Sequence, residues 1–222
     1  MATSAFVVGA TGAVGSELVK LLAESGRFSK VVLLARRPVE PLANSEKFVQ
    51  KTVDFEKIQE ENAEDVRGVD VAFCALGTTR AKSGADGFYK VDHDFVMNSA
   101  KLAKENGVKQ FVLVSSGGAD DKSMFLYMKT KGQVEKEIEE LQFEKFVIMR
   151  PGLIEAKRDE FRFAEALSGV LLKPLKLVSN RFSSSATQIA QAMISATQQT
   201  DENGKLVWDN AKIVEEAKKY TA

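Results

Sequence analysis

The residues best suited to chemistry are a tyrosine and a lysine four positions apart, Tyr127 and Lys131. Side chains at this spacing project from one face of an α-helix. A tyrosine phenol is a poor acid or base at neutral pH, but a neighbouring ammonium stabilises the phenolate, so that proton exchange with a carbonyl or hydroxyl becomes feasible. The pattern is weak when taken alone, because two solvated side chains on a helix surface would look the same.

Two serines precede this pair at the end of a predicted strand. Ser116 lies eleven residues before Tyr127, and Ser115 is its neighbour. A hydroxyl at the C-terminal end of that strand would hold the oxygen of a substrate. We predict Ser116, Tyr127 and Lys131 as catalytic residues, with Ser115 as the alternative serine. The lysine would also form a hydrogen bond with the ribose of a nicotinamide. The predicted cofactor contacts in this part of the chain are Ser115, Tyr127 and Lys131.

The N-terminal segment carries the pattern of a dinucleotide-binding turn. An apolar run at 6–8 is followed by Gly9, Gly12 and Gly15, and then by apolar residues at helical spacing. A strand, a glycine turn and a helix in this order direct backbone N–H groups and the positive end of the helix dipole at a pyrophosphate. A glycine-rich turn of some other α/β protein is the alternative. The predicted phosphate contacts are Gly9, Thr11, Gly12, Ala13, Val14 and Gly15.

Two arginines follow the second predicted strand, where the adenosine ribose of a dinucleotide lies. An acidic residue there would bind the ribose 2′-OH, whereas Arg36 and Arg37 suit a 2′-phosphate. The sequence therefore favours NADP(H) over NAD, although both arginines could instead be solvated loop cations. The other predicted cofactor contacts follow later strands and are Asp54, Phe55, Leu76, Gly77, Thr78, Thr79, Pro151, Gly152 and Leu153.

Alternating strands and helices must position these residues. Apolar strands without polar alternation, in units of about thirty residues, indicate a parallel sheet covered on both faces. We predict one α/β domain over 1–222, a doubly wound Rossmann sheet with helices on both faces and a small substrate lobe within about 153–222. The predicted strands are 6–8, 30–35, 48–54, 69–75, 109–115, 146–150 and 205–208, and the predicted helices are 14–25, 88–105, 123–141, 186–199 and 211–220. The basic segment 155–181 is assigned to the lobe.

Composition narrows the class of protein. The chain has 222 residues, with 31 basic and 31 acidic side chains, so no bulk attraction to nucleic acid is expected. Its single cysteine, Cys74, excludes an internal disulfide, and its single histidine, His93, makes a metal site unexpected. We expect Cys74 to be a buried hydrophobe and His93 a structural or exposed residue. Apolar runs too short to span a bilayer, and a first strand close to the start, predict a soluble cytoplasmic protein without transmembrane or leader segments.

The motifs, taken in order, resemble the short-chain dehydrogenase/reductase superfamily in its atypical or extended branch. They are also similar to the thirty-kilodalton Tat-interacting protein family and its fungal mitochondrial relatives, in segments 53–57, 73–80, 89–94, 114–120, 125–132 and 149–152. The resemblance implies an NADPH-binding Rossmann fold that carries the serine, tyrosine and lysine. It also implies possible protein partners and, as an alternative to the cytoplasm, peripheral association with the mitochondrial outer-membrane surface.

Three functions are compatible with these residues. The first is an NADPH-dependent oxidoreductase acting on a small-molecule carbonyl or secondary alcohol, in which the nicotinamide exchanges hydride and Tyr127 exchanges the proton. The second is a regulatory or scaffold protein that holds NADPH without turnover. The third is an NAD-linked epimerase or dehydratase that keeps its cofactor through turnover. The fold does not decide among them.

Overall fold

The computed structural model describes residues 3–39, 46–78, 80–155, 183–199 and 203–221. The strands are β1 (Thr3–Val8), β2 (Phe28–Ala35), β3 (Phe48–Thr52), β4 (Val71–Cys74), β5 (Gln110–Val114), β6 (Lys145–Arg150), β7 (Leu153–Glu155), β8 (Ser183–Ser185) and β9 (Gly204–Asp209). Seven of them form one parallel sheet in the order β3-β2-β1-β4-β5-β6-β9. β7 and β8 pair separately, also in parallel.

Helices connect these strands. They are α1 (Ala13–Glu24), α2 (Ile58–Glu61), α3 (Ala63–Val66), α4 (Arg80–Tyr89), α5 (Phe95–Glu105), α6 (Leu126–Glu140), α7 (Ala186–Ala196) and α8 (Asn210–Ala217). A π-helical turn, Lys90–Asp94, joins α4 to α5, and α4 is kinked at Gly84, where φ is +71°. In the described part of the chain, no helix is long and apolar enough to cross a membrane.

The sheet is buried on both faces, which explains why its strands lack polar alternation. Along β1, Ala5 and Val7 pack in a core with α1 and α7, whereas Phe6 and Val8 pack in a second core with α5 and α6. All four side chains are fully buried. The predicted α/β fold, a doubly wound parallel Rossmann sheet with helices on both faces, is confirmed.

Two predicted helices begin elsewhere. The helix predicted at 88–105 belongs to a longer helical stretch that starts at Arg80 and contains the π-helical turn. The helix predicted at 123–141 starts at Leu126. Its beginning is delayed because the hydroxyl of Ser123 accepts a hydrogen bond from the backbone N–H of Phe125, at 3.2 Å, and so stabilises a turn before the helix.

The third predicted strand, near the site, is shorter than expected. The third strand ends at Thr52, before Asp54, whose carboxylate accepts a hydrogen bond from the Glu56 N–H at 3.0 Å and forms a turn. Residues Leu153–Glu155, which the sequence analysis places in the substrate lobe, form β7 and pair with Ser183–Ser185. The rest of the predicted lobe segment, 156–181, lies outside the described residues.

Candidate active site

The carboxyl ends of β1 and β4 define the crevice where open α/β sheets bind their ligands. β1 pairs with β2 on one side and with β4 on the other, so the order of the strands reverses at this point. The glycine turn follows β1, and residues 75–78 follow β4. A dinucleotide lying across this edge would contact both segments.

Two of the three glycines in the turn cannot carry a side chain. Gly9 has a φ of +83°, and a Cβ there would lie 2.4 Å from the carbonyl carbon of Ala75. A Cβ on Gly15 would lie 2.1 Å from the carbonyl oxygen of Gly9. At Gly12 the nearest heavy atom would be 3.4 Å away. Packing inside the protein therefore does not require glycine at position 12, whereas close approach of a ligand would.

Gly12 also marks the start of α1. Its N–H donates to the carbonyl oxygen of Gly9 at 3.0 Å, and α1 has no acidic residue in its first turn. The positive end of the helix dipole therefore meets no carboxylate of its own helix. The turn fits a cofactor pyrophosphate, with Thr11, Ala13 and Val14 surrounding Gly12 and the first backbone N–H groups of α1 as donors.

The predicted adenosine end lies at the carboxyl ends of β2 and β3. Arg36 and Arg37 follow β2 directly and are exposed, and neither forms an ion pair or hydrogen bond with another described residue. Asp54 is also exposed. Phe55, in contrast, is buried and stacks on Phe95 with 5.2 Å between ring centroids. Its ring packs in the core, and the cofactor contact predicted at Phe55 stays a prediction.

Lys131 is buried and paired with a carboxylate that the sequence analysis did not single out. Its Nζ lies 2.8 Å from Oδ1 of Asp92, and the two side chains are 6% and 1% exposed. Burial lowers the pKa of Lys131, but the nearby charges of Asp92 and Tyr127 and the hydrogen bond to Asp92 outweigh this, so its pKa is raised. The ammonium therefore stays protonated. Tyr127, one turn earlier on α6, is half-buried, and its ring lies 5.7 Å from that of Phe88.

The loop after β4 passes directly over this ion pair. The N–H of Thr78 donates to Oδ2 of Asp92 at 2.7 Å, and a Cβ on Gly77 would lie 3.4 Å from Oδ1 of the same carboxylate. The N–H of Thr78 is thus already bonded within the protein. Leu76 is half-buried and Gly77 is exposed at the same turn. Thr79, also a predicted cofactor contact, lies outside the described residues.

The two serines differ in their hydrogen bonds. Ser115 is buried, and its hydroxyl donates to the carboxylate of Glu135, which also binds the guanidinium of Arg150. Ser116 is half-buried, and its hydroxyl has no hydrogen-bond partner among the described residues. Successive residues at a strand end face opposite sides. The hydroxyl of Ser115 is therefore engaged inside the protein, whereas that of Ser116 is not.

The end of β6 and the start of α6 form the rim of the site. The carbonyl oxygen of Pro151 accepts a hydrogen bond from the Gly117 N–H at 2.8 Å, and the Gly152 N–H donates to Asn210 Oδ1 at 2.9 Å. Leu153, next in sequence, is 50% exposed. We call the exposed apolar side chains here the apolar rim, which consists of Met124, Phe125, Met128 and Leu153. Three of these residues, Met124, Phe125 and Met128, flank Tyr127 in sequence, and Leu153 follows β6.

Cys74 and His93 take structural positions. Cys74 is buried at the end of β4, and burial raises the pKa of its thiol to about 12. His93 lies between two carboxylates, with Nδ1 2.8 Å from Asp94 and Nε2 3.2 Å from Glu137. The described residues contain no group of three or more histidine, cysteine, aspartate or glutamate side chains that could hold a metal ion.

Two residues of the site were missed by the sequence analysis. Glu135 lies four residues after Lys131, so the helical spacing that links Tyr127 to Lys131 also places Glu135 on the same face of α6. That signal was present in the sequence. Asp92 lies in the π-helical turn, whose widened geometry does not follow the ordinary helical period, and no sequence signal connects it to Lys131.

Comparison with known proteins identifies the family. The family described as NAD(P)H-binding matches residues 9–200. The chain is 47% identical over 168 residues to Protein HTATIP2 of Rattus norvegicus, covering 74% of the chain and 68% of that protein. This chain belongs to the NAD(P)H-binding family of HTATIP2. Protein FMP52-1, mitochondrial, of Scheffersomyces stipitis is 37% identical over 210 residues, covering 90% of the chain and 91% of that protein. The predicted resemblance to the thirty-kilodalton Tat-interacting protein family, to which HTATIP2 belongs, and to its fungal mitochondrial relatives is confirmed.

Solved structures share the fold of this NAD(P)H-binding family member. MoeE5 in complex with UDP-glucose and NAD superposes with a TM-score of 0.71 at 17% identity, over 98% of the chain and 82% of that structure. The oxidoreductase ylbE from Lactococcus lactis has a TM-score of 0.69 at 18% identity, over 99% of both chains. At these identities the likeness concerns the fold alone, which is a Rossmann-like NAD(P)-binding fold.

Proposed function

We propose that this protein is an NADPH-dependent oxidoreductase that acts on a small-molecule carbonyl or secondary alcohol. The observation that carries the proposal is the position of Lys131, a buried and protonated lysine one helical turn from Tyr127 at the edge where the sheet reverses its order. Membership of the NAD(P)H-binding family supports the cofactor class.

The choice of NADPH over NADH rests on the end of β2. Arg36 and Arg37 are exposed there without described partners, and a 2′-phosphate would supply one. The glycine turn would hold the pyrophosphate, and the loop at 75–78 would run beside the nicotinamide half. Pro151, Gly152 and Leu153 would form the wall beyond the nicotinamide. When bound, the cofactor supplies or accepts the hydride.

Side chains of the protein would transfer the proton and orient the substrate. The Tyr127 hydroxyl gives its proton to a carbonyl oxygen and becomes a phenolate; in the reverse direction the phenolate takes the proton of an alcohol. The Lys131 ammonium makes both steps feasible because it stabilises the phenolate. The Ser116 hydroxyl donates to the same substrate oxygen and fixes its position. The apolar rim supports substrates that carry apolar substituents beside the reacting carbon.

Two cellular locations remain proposals, namely the cytoplasm and the surface of the mitochondrial outer membrane. The word mitochondrial in the names of the fungal relatives supports the second. Localisation of a tagged chain by fractionation, with protease treatment of intact mitochondria, distinguishes a surface-bound pool from a cytoplasmic one.

Turnover is the test that separates this proposal from a scaffold that only holds NADPH. The purified protein is first titrated with NADPH and then incubated with NADPH and a panel of aldehydes and ketones that differ in the size of their apolar substituents. We expect tight binding and consumption of NADPH with at least one carbonyl class. Binding without consumption across the panel, in either direction of the reaction, would contradict the proposal and favour the scaffold.

A further inference from the structure

Asp92 contacts both halves of the candidate site, although it lies on neither the catalytic helix nor the glycine turn. Its Oδ1 lies 2.8 Å from Nζ of Lys131 on α6. Its Oδ2 accepts the N–H of Thr78, at 2.7 Å, from the loop after β4. The side chain of Asp92 is 1% exposed and that of Lys131 is 6% exposed, so solvent screens neither charge.

The π-helical turn delivers the carboxylate to this position. Lys90–Asp94 interrupts a helical stretch that otherwise continues from α4 into α5. A second side chain of the turn, His93, contacts α6 through Glu137, at 3.2 Å. Two contacts from consecutive residues therefore attach this turn to the helix that carries Tyr127. Such single π-helical turns occur frequently at functional sites.

We infer that Asp92 is a positioning residue, which fixes the Lys131 ammonium between Tyr127 and the loop after β4 and so presents it to the nicotinamide ribose. This inference rests on the proposed function. The carboxylate is suited to the task because its two oxygens accept from two different donors, Lys131 and the Thr78 N–H. An asparagine has one acceptor oxygen, so its amide nitrogen would face one of these two donors.

A purely structural role is the competing interpretation. A buried ion pair often adds little net stability, because removing both charges from water costs about as much as their attraction returns. Breaking such a pair nevertheless destabilises a fold, because one buried charge loses its partner. Loss of stability alone therefore does not distinguish the two roles, and the affinity for NADPH must be measured on folded protein.

The experiment compares Asp92→Asn and Lys131→Met with the parent and with the double variant. Dissociation constants for NADPH come from fluorescence titration well below the unfolding temperature of each variant. If Asp92 acts through Lys131, both single variants bind NADPH about tenfold more weakly, since each loses the same ribose hydrogen bond. The double variant then binds no more weakly than Lys131→Met, because the contact is already lost.

Glu216→Gln is the control for neutralising a buried carboxylate that pairs with lysine outside the candidate site. The Glu216 side chain is 2% exposed, and it binds Lys212 on α8 at 2.8 Å and Lys219, just after α8, at 2.7 Å; both lysines are exposed. The Glu216→Gln substitution should lower the unfolding temperature of the protein and leave its NADPH affinity at the parental value. If Asp92→Asn behaves in the same way while Lys131→Met binds NADPH weakly, Asp92 has no positioning role, although the proposed function stands. If Lys131→Met itself binds NADPH like the parent, the proposed ribose contact is wrong and the inference falls with it.

Asp92→Glu covers the case in which Asp92→Asn does not fold. It keeps the negative charge for Lys131 but moves the carboxylate outward by one carbon–carbon bond, about 1.5 Å. We expect it to fold and to bind NADPH severalfold more weakly than the parent, because the ammonium follows its partner away from the ribose. Parental affinity in Asp92→Glu would contradict a positioning role, since the location of the carboxylate would then not matter.

Discussion

Glu135 and Arg150 form a bidentate ion pair at the carboxyl edge of the sheet. Nη2 of Arg150 lies 2.5 Å from Oε2 of Glu135, and its Nε lies 3.2 Å from both carboxylate oxygens. The hydrogen bond to Glu135 raises the pKa of Arg150, whose side chain is one-third exposed. Because Ser115 donates to the same carboxylate, the pair ties α6 to the ends of β5 and β6.

Breaking the ion pair between Glu135 and Arg150 should destabilise the folded protein. We expect Glu135→Gln to lower the free energy of unfolding by about 1–3 kcal/mol, since the partly exposed Arg150 loses less than a fully buried cation would. Urea denaturation measures the change. Glu139→Gln, which breaks an exposed pair with Lys205, is the control and should change the free energy by less than about 0.5 kcal/mol. Equal losses in the two variants would contradict a special role for Glu135.

Substitutions at two glycines of the turn distinguish a role in packing from a role in ligand binding. A Cβ on Gly15 would clash with the carbonyl oxygen of Gly9 at 2.1 Å, whereas a Cβ on Gly12 meets nothing nearer than 3.4 Å. We therefore expect Gly15→Ala to destabilise or abolish folding. Gly12→Ala should unfold near the parental temperature and bind NADPH at least tenfold more weakly, because its methyl group occupies the space of the pyrophosphate.

Thermal unfolding and NADPH titration on the same two samples measure both effects. Parental NADPH affinity in a folded Gly12→Ala variant would show that the phosphates do not approach this turn.

The arginines after β2 set the expected preference for NADPH. Arg36→Ala combined with Arg37→Ala should weaken NADPH binding about ten- to a hundredfold, which corresponds to roughly 1.5–3 kcal/mol for lost charge-assisted bonds. NADH affinity should stay within about twofold, because NADH has no 2′-phosphate. Arg67→Ala removes one exposed arginine elsewhere and controls for the loss of a surface positive charge as such. Equal weakening for both cofactors would contradict the assignment.

Substituting Ser115 and substituting Ser116 should affect different properties of the protein. Ser116→Ala should reduce turnover about ten- to a hundredfold, because the substrate oxygen loses a donor. Ser115→Ala should act more on stability, by about 1 kcal/mol, because it removes one of the donors to the buried Glu135 carboxylate. Steady-state rates and urea denaturation on both variants make the comparison. A greater loss of turnover in Ser115→Ala would reverse the assignment.

The sequence predicts well what depends on local pattern. Local patterns mark the apolar strands, the glycine turn and the helical spacing of Tyr127 and Lys131. The fold that these elements imply, a doubly wound parallel sheet, was predicted correctly. Asp92 was not predicted, because its pairing with Lys131 depends on a π-helical turn and on a contact between distant segments. The β7–β8 pair was missed for a related reason. Three-residue strands such as Leu153–Glu155 carry too few residues to show a period.

Proton transfer by Tyr127 is the central claim, and Tyr127→Phe tests it most directly. The substitution removes one hydroxyl and keeps the ring that packs against Phe88, so the fold and NADPH affinity should be retained. With a carbonyl substrate that the parent reduces, we expect the single-turnover rate of NADPH oxidation to fall about 10²–10⁴-fold. A rate equal to that of the parent, in a variant that binds NADPH normally, would contradict the assignment of Tyr127 as the proton donor.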